Sequence, residues 1–389
     1  MDITIQPGRL CGSVTVIPSK SQAHRLLICA AFADNETTLL CRDTNLDIEA
    51  TVLCLNALGA KISRTDTGYH VIPVQEIPNK ASLNCGESGS TLRFMLPIVG
   101  ALGVDATITM AGRLPQRPLS PLWEEMERMG CILTRPNENT ICCQGKLREG
   151  AYTIDGSVSS QFTTGLLFAH ALMKNSSPLA ITGKVESKPY IEMTRKALQL
   201  FDAPNFHSPG TVSVEGDWSN GAFWLVATAL GSSLEVLGLH PDSPQGDRAV
   251  TEILYQMAAG SPTISAADIP DLVPILSVAA AAKKGVIFTD IRRLRLKESD
   301  RVASVIAMLT ALGGKAEATE DTLTVFPTDF FGGTVDSVND HRIAMAAAIA
   351  STICKESVTI LGAEAVNKSY PQFWAEFRRL GGNYEQHLR

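Results

Sequence analysis

Apolar stretches that end in a glycine or another small residue recur along the chain, and each predicts the end of a helix. A small residue directly after the last apolar turn is the usual C-terminal position of a helix. A short segment of alternating apolar and polar residues, typical of a strand, follows it. Six occurrences predict six copies of one α/β unit, although helix ends can also recur by chance. The six segments are residues 55–62, 126–133, 198–203, 254–259, 309–316 and 377–382.

Polar segments precede alanine-rich apolar stretches at four places and predict helix starts that can hold an anion. The first backbone N–H groups of a helix are unpaired and carry partial positive charge, which attracts phosphate or carboxylate. Ser, Asn and Asp at such positions are also ordinary N-caps. Capping alone does not account for the cations that accompany them, Lys20, Arg25, Arg93 and Arg342. The four segments are residues 18–25, 86–93, 157–161 and 339–342.

The densest charge cluster is the segment 292–301, which holds five cations and two acids. It follows the short apolar run 286–288 and precedes an amphipathic stretch at 302–312, which predicts a strand-to-helix turn. Charges of both signs suit a site that holds an anion and also moves a proton. The alternative is a solvated turn in which Glu298 and Arg301 form an ordinary i,i+3 pair.

Length and composition restrict the classes of protein to consider. A chain of 389 residues exceeds what one hydrophobic core usually serves, so two domains are expected. The net charge of −6 argues against a nucleic-acid surface. No apolar run is long enough to cross a membrane, and the first residues lack the basic segment of a signal peptide. The nine cysteines include no Cys-x-x-Cys pair, so reduced thiols in a cytoplasmic protein are expected, without a metal site or a disulfide framework.

Several other positions have a plain structural interpretation beside a functional one. Asp271 precedes an apolar stretch and could be an N-cap, and Lys368 could be a surface lysine. The loop 112–118 contains two arginines and two prolines, and the segment 187–190 could be a simple helix entry. The aromatic residues expected in the core rather than at a ligand are Trp218, Phe223 and Trp224.

The order and joint presence of these segments resemble the EPSP synthase family of enolpyruvyl transferases over nearly the whole chain. The resemblance implies an α/β protein of two domains, each an inside-out α/β barrel of three βαβαββ-type repeats. It assigns residues 18–216 to one domain and residues 1–17 with 217–389 to the other. The motifs that carry it are Ser19-Lys20-Ser21 with Arg25, Ser159-Ser160-Gln161, Ser187-Lys188-Pro189-Tyr190, Lys297-Glu298-Ser299-Asp300-Arg301, Asn339-Asp340-His341-Arg342 and Lys368-Ser369-Tyr370-Pro371.

Enzymes of this family transfer the enolpyruvyl group of phosphoenolpyruvate to the 5-hydroxyl of shikimate 3-phosphate by addition and elimination. The products are phosphate and 5-enolpyruvylshikimate 3-phosphate, on the shikimate pathway to chorismate and the aromatic amino acids. The resemblance implies that the catalytic residues are Asp271, Glu298 and Lys20. It implies that shikimate 3-phosphate is bound by Lys20, Ser21, Arg25, Ser159, Ser160, Gln161, Ser187, Tyr190, Asp271 and Lys297. It implies that phosphoenolpyruvate is bound by Lys20, Gly89, Arg117, Gln161, Arg301, Arg342 and Lys368.

The chemistry of this transfer requires residues of these types. Each substrate carries a phosphate and a carboxylate, so several arginines and lysines are needed to bind them. C3 of phosphoenolpyruvate must gain a proton while the 5-hydroxyl attacks C2, so an acid and a base must flank the reacting centre. A carboxyl group near substrate anions is driven toward its protonated form, which suits Glu298 as the acid, with Lys20 as the alternative donor. Asp271 either takes the hydroxyl proton or only orients the hydroxyl. No metal or organic cofactor is required.

The sequence departs from the usual family pattern in its loops. Ile17-Pro18-Ser19 stands in place of Pro-Gly-Ser, and Gly86-Glu87-Ser88-Gly89-Ser90 stands in place of Gly-Asn-Ala-Gly-Thr. Arg293 occupies a position where many members have a smaller polar residue. Gly89 matches the glycine whose replacement by alanine crowds the inhibitor glyphosate in insensitive members, so inhibition by glyphosate is expected.

Three other functions are alternatives. The sister enzyme that transfers enolpyruvate to UDP-N-acetylglucosamine commonly has a loop cysteine, which residues 113–118 lack. A non-catalytic binder of a phosphorylated metabolite gains nothing from Asp271 and Glu298 beside the cations. An RNA-end-processing relative is disfavoured by the acidic balance of charge. A cytoplasmic monomer that binds its two small-molecule substrates, but neither nucleic acid nor membrane, is expected.

Overall fold

The computed structural model describes residues 1–387 and shows a mixed α/β protein. The strands are β1 (Asp2–Gln6), β2 (Cys11–Thr15), β3 (Thr37–Leu40), β4 (Lys61–Thr65), β5 (Gly68–Ile72), β6 (Lys80–Asn84), β7 (Asp105–Thr109), β8 (Cys131–Asn137), β9 (Thr140–Gly145), β10 (Tyr152–Asp155), β11 (Leu179–Thr182), β12 (Thr211–Ser213), β13 (Ser233–Leu237), β14 (Thr263–Ser265), β15 (Val286–Thr289), β16 (Lys315–Ala318), β17 (Thr322–Phe326), β18 (Gly333–Asp336), β19 (Val358–Leu361) and β20 (Asn383–His387). The α-helices are α1 (Lys20–Ala31), α2 (Leu46–Ala57), α3 (Gly89–Leu102), α4 (Leu122–Arg128), α5 (Ser160–Met173), α6 (Lys188–Leu200), α7 (Trp218–Ala229), α8 (Val250–Ala259), α9 (Val273–Ala281), α10 (Arg301–Ala311), α11 (His341–Ser351) and α12 (Phe373–Arg379). Short 3-10 helices cover Leu114–Gln116, Gly246–Ala249, Arg292–Leu296 and Ala363–Lys368. Within the described residues, no helix has the length and apolar character needed to span a bilayer.

The chain divides into two compact units. The continuous unit consists of Pro18–Glu215. The split unit consists of Met1–Ile17 together with the chain from Gly216 onward. Gly216 therefore belongs to the split unit, whereas the sequence placed the second boundary one residue later, after 216.

The sheets of the two units have the same construction. In the continuous unit, two four-stranded sheets have the orders β12-β3-β5-β4 and β6-β7-β9-β8, and β10 pairs with β11. In the split unit, the orders are β14-β15-β17-β16 and β18-β19-β1-β20, and β13 pairs with β2. In each four-stranded sheet the first two strands are parallel and the other neighbours are antiparallel. One βαβ-containing pattern therefore recurs through the chain.

Helices that are apolar on every side lie inside each unit, as such helices must. All residues of α9 and α11 are buried in the split unit, and nearly all of α3 is buried in the continuous unit. The three aromatic residues expected in the core, Trp218, Phe223 and Trp224, are buried in the split unit. A helix that is buried along its length offers only its ends to a ligand, so the polar chemistry concentrates at helix starts.

The polar segments that were expected in front of helices form the first helical turns themselves. The residue before each start is an N-cap whose side chain accepts a backbone N–H group. These caps are Ser19, Ser88, Ser159, Asp300 and Asp340. The apolar periodicity begins after a polar first turn, so boundaries based on that periodicity alone were placed too late.

Candidate active site

Lys20 begins α1 and forms an ion pair within the continuous unit. Its Nζ lies 2.7 Å from Oδ2 of Asp47 in the first turn of α2. Each of the two side chains keeps 16% of its surface exposed. A lysine ammonium has three N–H donors and can bind several acceptors at once. Lys20 was predicted as a site residue, whereas Asp47 was not, because it follows an ordinary N-cap, Asn45.

Arg25 is buried and connects three helices of the continuous unit. Its Nε donates to Oγ1 of Thr194 (2.9 Å), and its Nη2 donates to the carbonyl of Tyr190 (3.0 Å) and to Oγ1 of Thr164 (3.4 Å). Its Nη1 donates to the carbonyl of Ser21 (2.6 Å). Burial lowers the pKa of Arg25 to about 10, so the group remains charged near neutrality. The structure therefore brings Arg25, Ser21 and Tyr190 together, with one Nη1 hydrogen left for a ligand.

Gly89 begins α3 and lies directly against two guanidinium groups. A Cβ atom at this position would come within 2.6 Å of Nη1 of Arg117 and within 2.7 Å of Nη1 of Arg93. Arg93 donates from Nη1 to Oε1 of Gln161 (3.0 Å) and from Nη2 to the carbonyl of Pro118 (3.0 Å). A side chain at this position would require a shift of these two guanidinium groups. The structure thus joins three predicted phosphoenolpyruvate residues, Gly89, Arg117 and Gln161, through Arg93.

The predicted serines lie at the starts of α5 and α6. Oγ of Ser159 accepts the backbone N–H of Gln161 (3.3 Å), and Ser160 is buried in the first turn of α5. Ser187 is buried before α6, and its φ of 55° places it in the left-handed region. A residue other than glycine in that region is uncommon and is often held there at a functional site.

Arg301 is the centre of the predicted site in the split unit. Its Nε donates to Oδ2 of Asp340 (3.0 Å), its Nη1 to Oδ1 of Asp271 (2.5 Å), and its Nη2 to Oε2 of Glu298 (2.6 Å). Only 1% of its surface is exposed, so the predicted i,i+3 pair with Glu298 exists but does not belong to a solvated turn. Although burial opposes its charge, Asp340, Glu298 and Asp271 hold the pKa of Arg301 well above its ordinary value.

Asp271 collects three cations and does not cap a helix. Besides Arg301, it accepts from Nη2 of Arg342 (3.3 Å) and lies 3.7 Å from Nζ of Lys297. The residue at the N-cap of α9 is Leu272, without a side-chain cap. Burial alone would raise the pKa of Asp271, but Arg342, Lys297 and Arg301 hold it well below its usual range. Burial lowers the pKa of Lys297 to about 8, against the attraction of Asp271.

Asp340 connects two predicted substrate cations. Its Oδ1 accepts the backbone N–H of Arg342 (3.0 Å) as the N-cap of α11, while its Oδ2 binds Arg301 and Ser299. Nζ of Lys368 donates to the carbonyl of the preceding residue, Asn339 (2.8 Å). All the predicted residues of the split unit therefore lie around the starts of α9, α10 and α11. The quoted motif included Asp340, but no role was assigned to it.

Asp247 is a fourth acid near this cluster, and it was not predicted from the sequence. It is 1% exposed in the turn Gly246–Ala249, where Oγ of Ser219 donates a short hydrogen bond to its Oδ2. Its Oδ1 has no hydrogen-bond partner among residues 1–387. Burial and the negative charge of Asp271 raise the pKa of Asp247 to about 7, although Arg342 opposes the shift. A signal was present, because the polar residues Gln245, Asp247 and Arg248 precede the amphipathic stretch 249–259, much as at the predicted helix starts.

No cluster of three or more His, Cys, Asp or Glu side chains within residues 1–387 is arranged to hold a metal ion. The nine cysteines are free, and seven of them are buried. The polar chemistry of the described chain is therefore that of arginine, lysine and carboxylate groups at helix starts.

Comparison with known proteins identifies the family. A model of the family EPSP synthase (3-phosphoshikimate 1-carboxyvinyltransferase) matches residues 5–268 and 260–377. The chain belongs to the EPSP synthase family. The predicted family and the predicted enzyme class, a transferase, are thereby confirmed.

Similar members of the EPSP synthase family come from Clostridium. The 3-phosphoshikimate 1-carboxyvinyltransferase of Clostridium kluyveri is 36% identical and that of Clostridium perfringens 37% identical. The alignments cover 99% and 98% of this chain, respectively, and 98% of each relative. The similarity is therefore one of whole proteins and not of a shared segment.

Solved structures agree on the fold of this EPSP synthase family member. EPSP synthase from Acinetobacter baumannii superposes with a TM-score of 0.77 at 23% identity, covering 99% of this chain and 100% of that one. The enolpyruvyl transferase NikO from Streptomyces tendae also gives 0.77, at 15% identity, covering 100% and 99%. At these identities the superpositions establish the mixed α/β fold over the full length, and nothing about the substrate.

Proposed function

We propose that this chain transfers the enolpyruvyl group of phosphoenolpyruvate to the 5-hydroxyl of shikimate 3-phosphate and releases phosphate. Membership of the EPSP synthase family supports the reaction. The observation that carries the site assignment is the group around the buried Arg301, in which three carboxylates, one of them fully buried, share one guanidinium beside Arg342 and Lys297. Buried charges of both signs are costly unless paired, and such a cluster at helix starts is typical of a site that binds anions and moves protons.

Several of these cations are proposed to bind the substrate anions. Arg117, Arg301, Arg342 and Lys368 suit the phosphate and carboxylate of phosphoenolpyruvate. The list proposed for shikimate 3-phosphate is Lys20, Ser21, Arg25, Ser159, Ser160, Gln161, Ser187, Tyr190, Asp271 and Lys297. Gly89, Gln161 and Lys20 complete the set proposed for phosphoenolpyruvate. Lys20, Gly89 and Gln161 lie in the first turns of α1, α3 and α5, where unpaired N–H groups favour anions.

The proton transfers are assigned to Glu298, Lys20 and Asp271. Glu298 is bonded to Arg301 without a ligand (2.6 Å), and a substrate anion at Arg301 competes for that guanidinium. Glu298 then faces an anion rather than a cation, which favours its protonated form and suits it as the acid at C3. Asp271 is held strongly ionised by three cations, which makes it a weak base. It is therefore suited to accept a hydrogen bond from the 5-hydroxyl of shikimate 3-phosphate. Lys20 remains the alternative proton donor.

The arrangement of the sheets, the oligomeric state, the location and the absence of a cofactor are also proposals. The two four-stranded sheets and one pair of strands in each unit are compatible with three βαβαββ-type repeats per domain, arranged as an inside-out barrel. We also propose that the protein works as a cytoplasmic monomer without a metal or organic cofactor. Equilibrium sedimentation of the purified protein tests the monomer.

A phosphate-release assay with phosphoenolpyruvate and each acceptor in turn tests the reaction. Release is expected with shikimate 3-phosphate and not with UDP-N-acetylglucosamine, and mass spectrometry should find the enolpyruvyl product. Glu320→Gln, at an exposed glutamate, is the control for variants at the buried acids and should keep full activity. Release with UDP-N-acetylglucosamine alone would assign the sister reaction. Tight binding of shikimate 3-phosphate without any turnover would indicate a non-catalytic binder.

A further inference from the structure

Gln161 is held at both ends of its side-chain amide by residues of α3. Nη1 of Arg93 donates to its Oε1 (3.0 Å), and its Nε2 donates to Oγ of Ser90 (2.9 Å). These three residues are called the amide clamp. An amide nitrogen carries two hydrogens and the clamp uses one, so a single N–H remains for a ligand.

The orientation of this amide decides whether Gln161 attracts or repels an anion. With the oxygen bonded to Arg93, the free corner of the amide is an N–H donor. If the amide rotated by half a turn, its carbonyl oxygen would take that corner and would repel a phosphate or carboxylate. Arg93 has only hydrogen-bond donors, so it must face the amide oxygen of Gln161. This orientation leaves the second amide N–H for a ligand.

Arg93 is itself fixed and has no freedom to follow a rotated amide. Its Nη2 donates to the carbonyl of Pro118 (3.0 Å), and its guanidinium carbon lies 5.5 Å from the centre of the Phe162 ring. Its side chain is 3% exposed, so water does not replace these bonds. Pro118 follows Arg117, so the same guanidinium also anchors the loop that carries a proposed phosphoenolpyruvate cation.

We propose that Arg93 is a positioning residue that sets the amide of Gln161 as an anion donor. This inference rests on the proposed function, because it takes Gln161 as a ligand of phosphoenolpyruvate. Arg93 acts through the side-chain amide of Gln161 and needs no contact with substrate. Loss of Arg93 is expected to weaken the binding of phosphoenolpyruvate more than it changes the maximal rate.

The test is a double-mutant cycle on KM for phosphoenolpyruvate with Arg93→Met, Gln161→Ala and the double variant. Arg93→Met should raise this KM by roughly tenfold, within the usual range for coupled neighbours. The double variant should be at most about twofold worse than Gln161→Ala, since there is then no amide left to orient. Effects that multiply independently, or a folded Arg93→Met with KM within about twofold of wild type, overturn the inference.

Controls separate positioning from stability and from the reaction itself. Arg64→Met is the control for removal of a guanidinium, because Arg64, which is exposed, donates to two backbone carbonyls and lies 4.6 Å from the Tyr69 ring centre. It should change the melting temperature at most and leave KM unaltered. If Arg93→Met does not fold, Arg93→Lys replaces it in the cycle, because one ammonium cannot reproduce the two Nη donors of the guanidinium. Arg93→Lys should raise KM for phosphoenolpyruvate when residue 161 is glutamine and not when it is alanine. An inactive wild type refutes the proposed function instead. In that case NMR measurement of hydrogen exchange at the Gln161 side-chain amide tests the inference. Exchange should be faster in the Arg93 variants than in the wild type, and equal rates would overturn the inference.

Discussion

The free energy of unfolding should depend on pH through Asp247, and Asp247→Asn should remove that dependence. The folded protein holds the pKa of this carboxyl at about 7, against 3.8 for an exposed aspartate. Between these values the folded state binds a proton that the unfolded chain has lost, so stability falls as the pH rises. Above about pH 7 both states are ionised and the loss is complete.

The magnitude follows from the two pKa values. At about 1.4 kcal/mol per pH unit, the whole interval corresponds to about 4 kcal/mol, of which about 3 kcal/mol falls between pH 5 and pH 8. Asparagine resembles the neutral acid and can still accept the bond from Ser219, so the variant lacks this slope. A constant offset is expected in addition, because the new amide N–H takes the place of an oxygen that has no partner among the described residues.

Urea titrations at constant ionic strength, followed by tryptophan fluorescence, provide the assay. Three of the four tryptophans, Trp218, Trp224 and Trp374, lie in the split unit with Asp247. His207 and other titrating groups are common to both proteins and cancel in the difference. Asp242→Asn, at an exposed aspartate of the same loop, should follow the wild type. A difference between wild type and Asp247→Asn that stays constant within about 0.5 kcal/mol from pH 5 to 8 would refute the assignment.

Three predictions concern activity. Glu298→Gln keeps the shape and the bond to Arg301 but removes the acid, so kcat should fall by roughly 10²–10⁴ while the calorimetric Kd for shikimate 3-phosphate stays near that of wild type; a kcat within about threefold of wild type would leave Lys20 as the donor. Gly89→Ala places a Cβ within 2.6 Å of Nη1 of Arg117, so it should weaken inhibition by glyphosate more than it raises KM for phosphoenolpyruvate; equal effects would contradict the position of this loop. Lys297 loses its charge as the pH rises through about 8, so kcat/KM for shikimate 3-phosphate should fall there. Lys297→Arg should move this alkaline limb upward, and an unchanged limb would assign it to another group.

The family and the helix-start positions of several proposed site residues were accessible from the sequence because they depend on local patterns. Lys20, Gly89, Arg301 and Arg342 stand in short polar segments before apolar stretches, and each lies in the first turn of a helix in the structure. The recurrence of helix ends likewise predicted a repeated α/β construction. Local patterns suffice here because N-caps and first turns are determined by residues within four positions of one another.

The partners of these residues were not predictable, since they come from distant parts of the chain. Asp340 lies 39 positions from Arg301, and Asp47 lies 27 from Lys20. Asp271 was open to interpretation as an N-cap, and only the fold shows that three cations surround it. A sequence indicates which groups carry charge, whereas the pairing that sets their protonation arises from packing.

The position of β1 between β19 and β20 constrains the order in which the chain can fold during synthesis. Ile3 lies opposite Ile360 on one side and Gln386 on the other, so an early strand pairs with two of the latest. On the ribosome, the continuous unit is complete once residue 215 has emerged, whereas β1 must wait for β20 at Asn383–His387. At about 5–20 residues per second, this delay is roughly 10–30 s. During that time β1 has two open edges, of the kind that invite pairing with another chain. Nascent chains stalled before residue 383 should therefore contain a protease-resistant continuous unit beside an unfinished sheet that depends on chaperones.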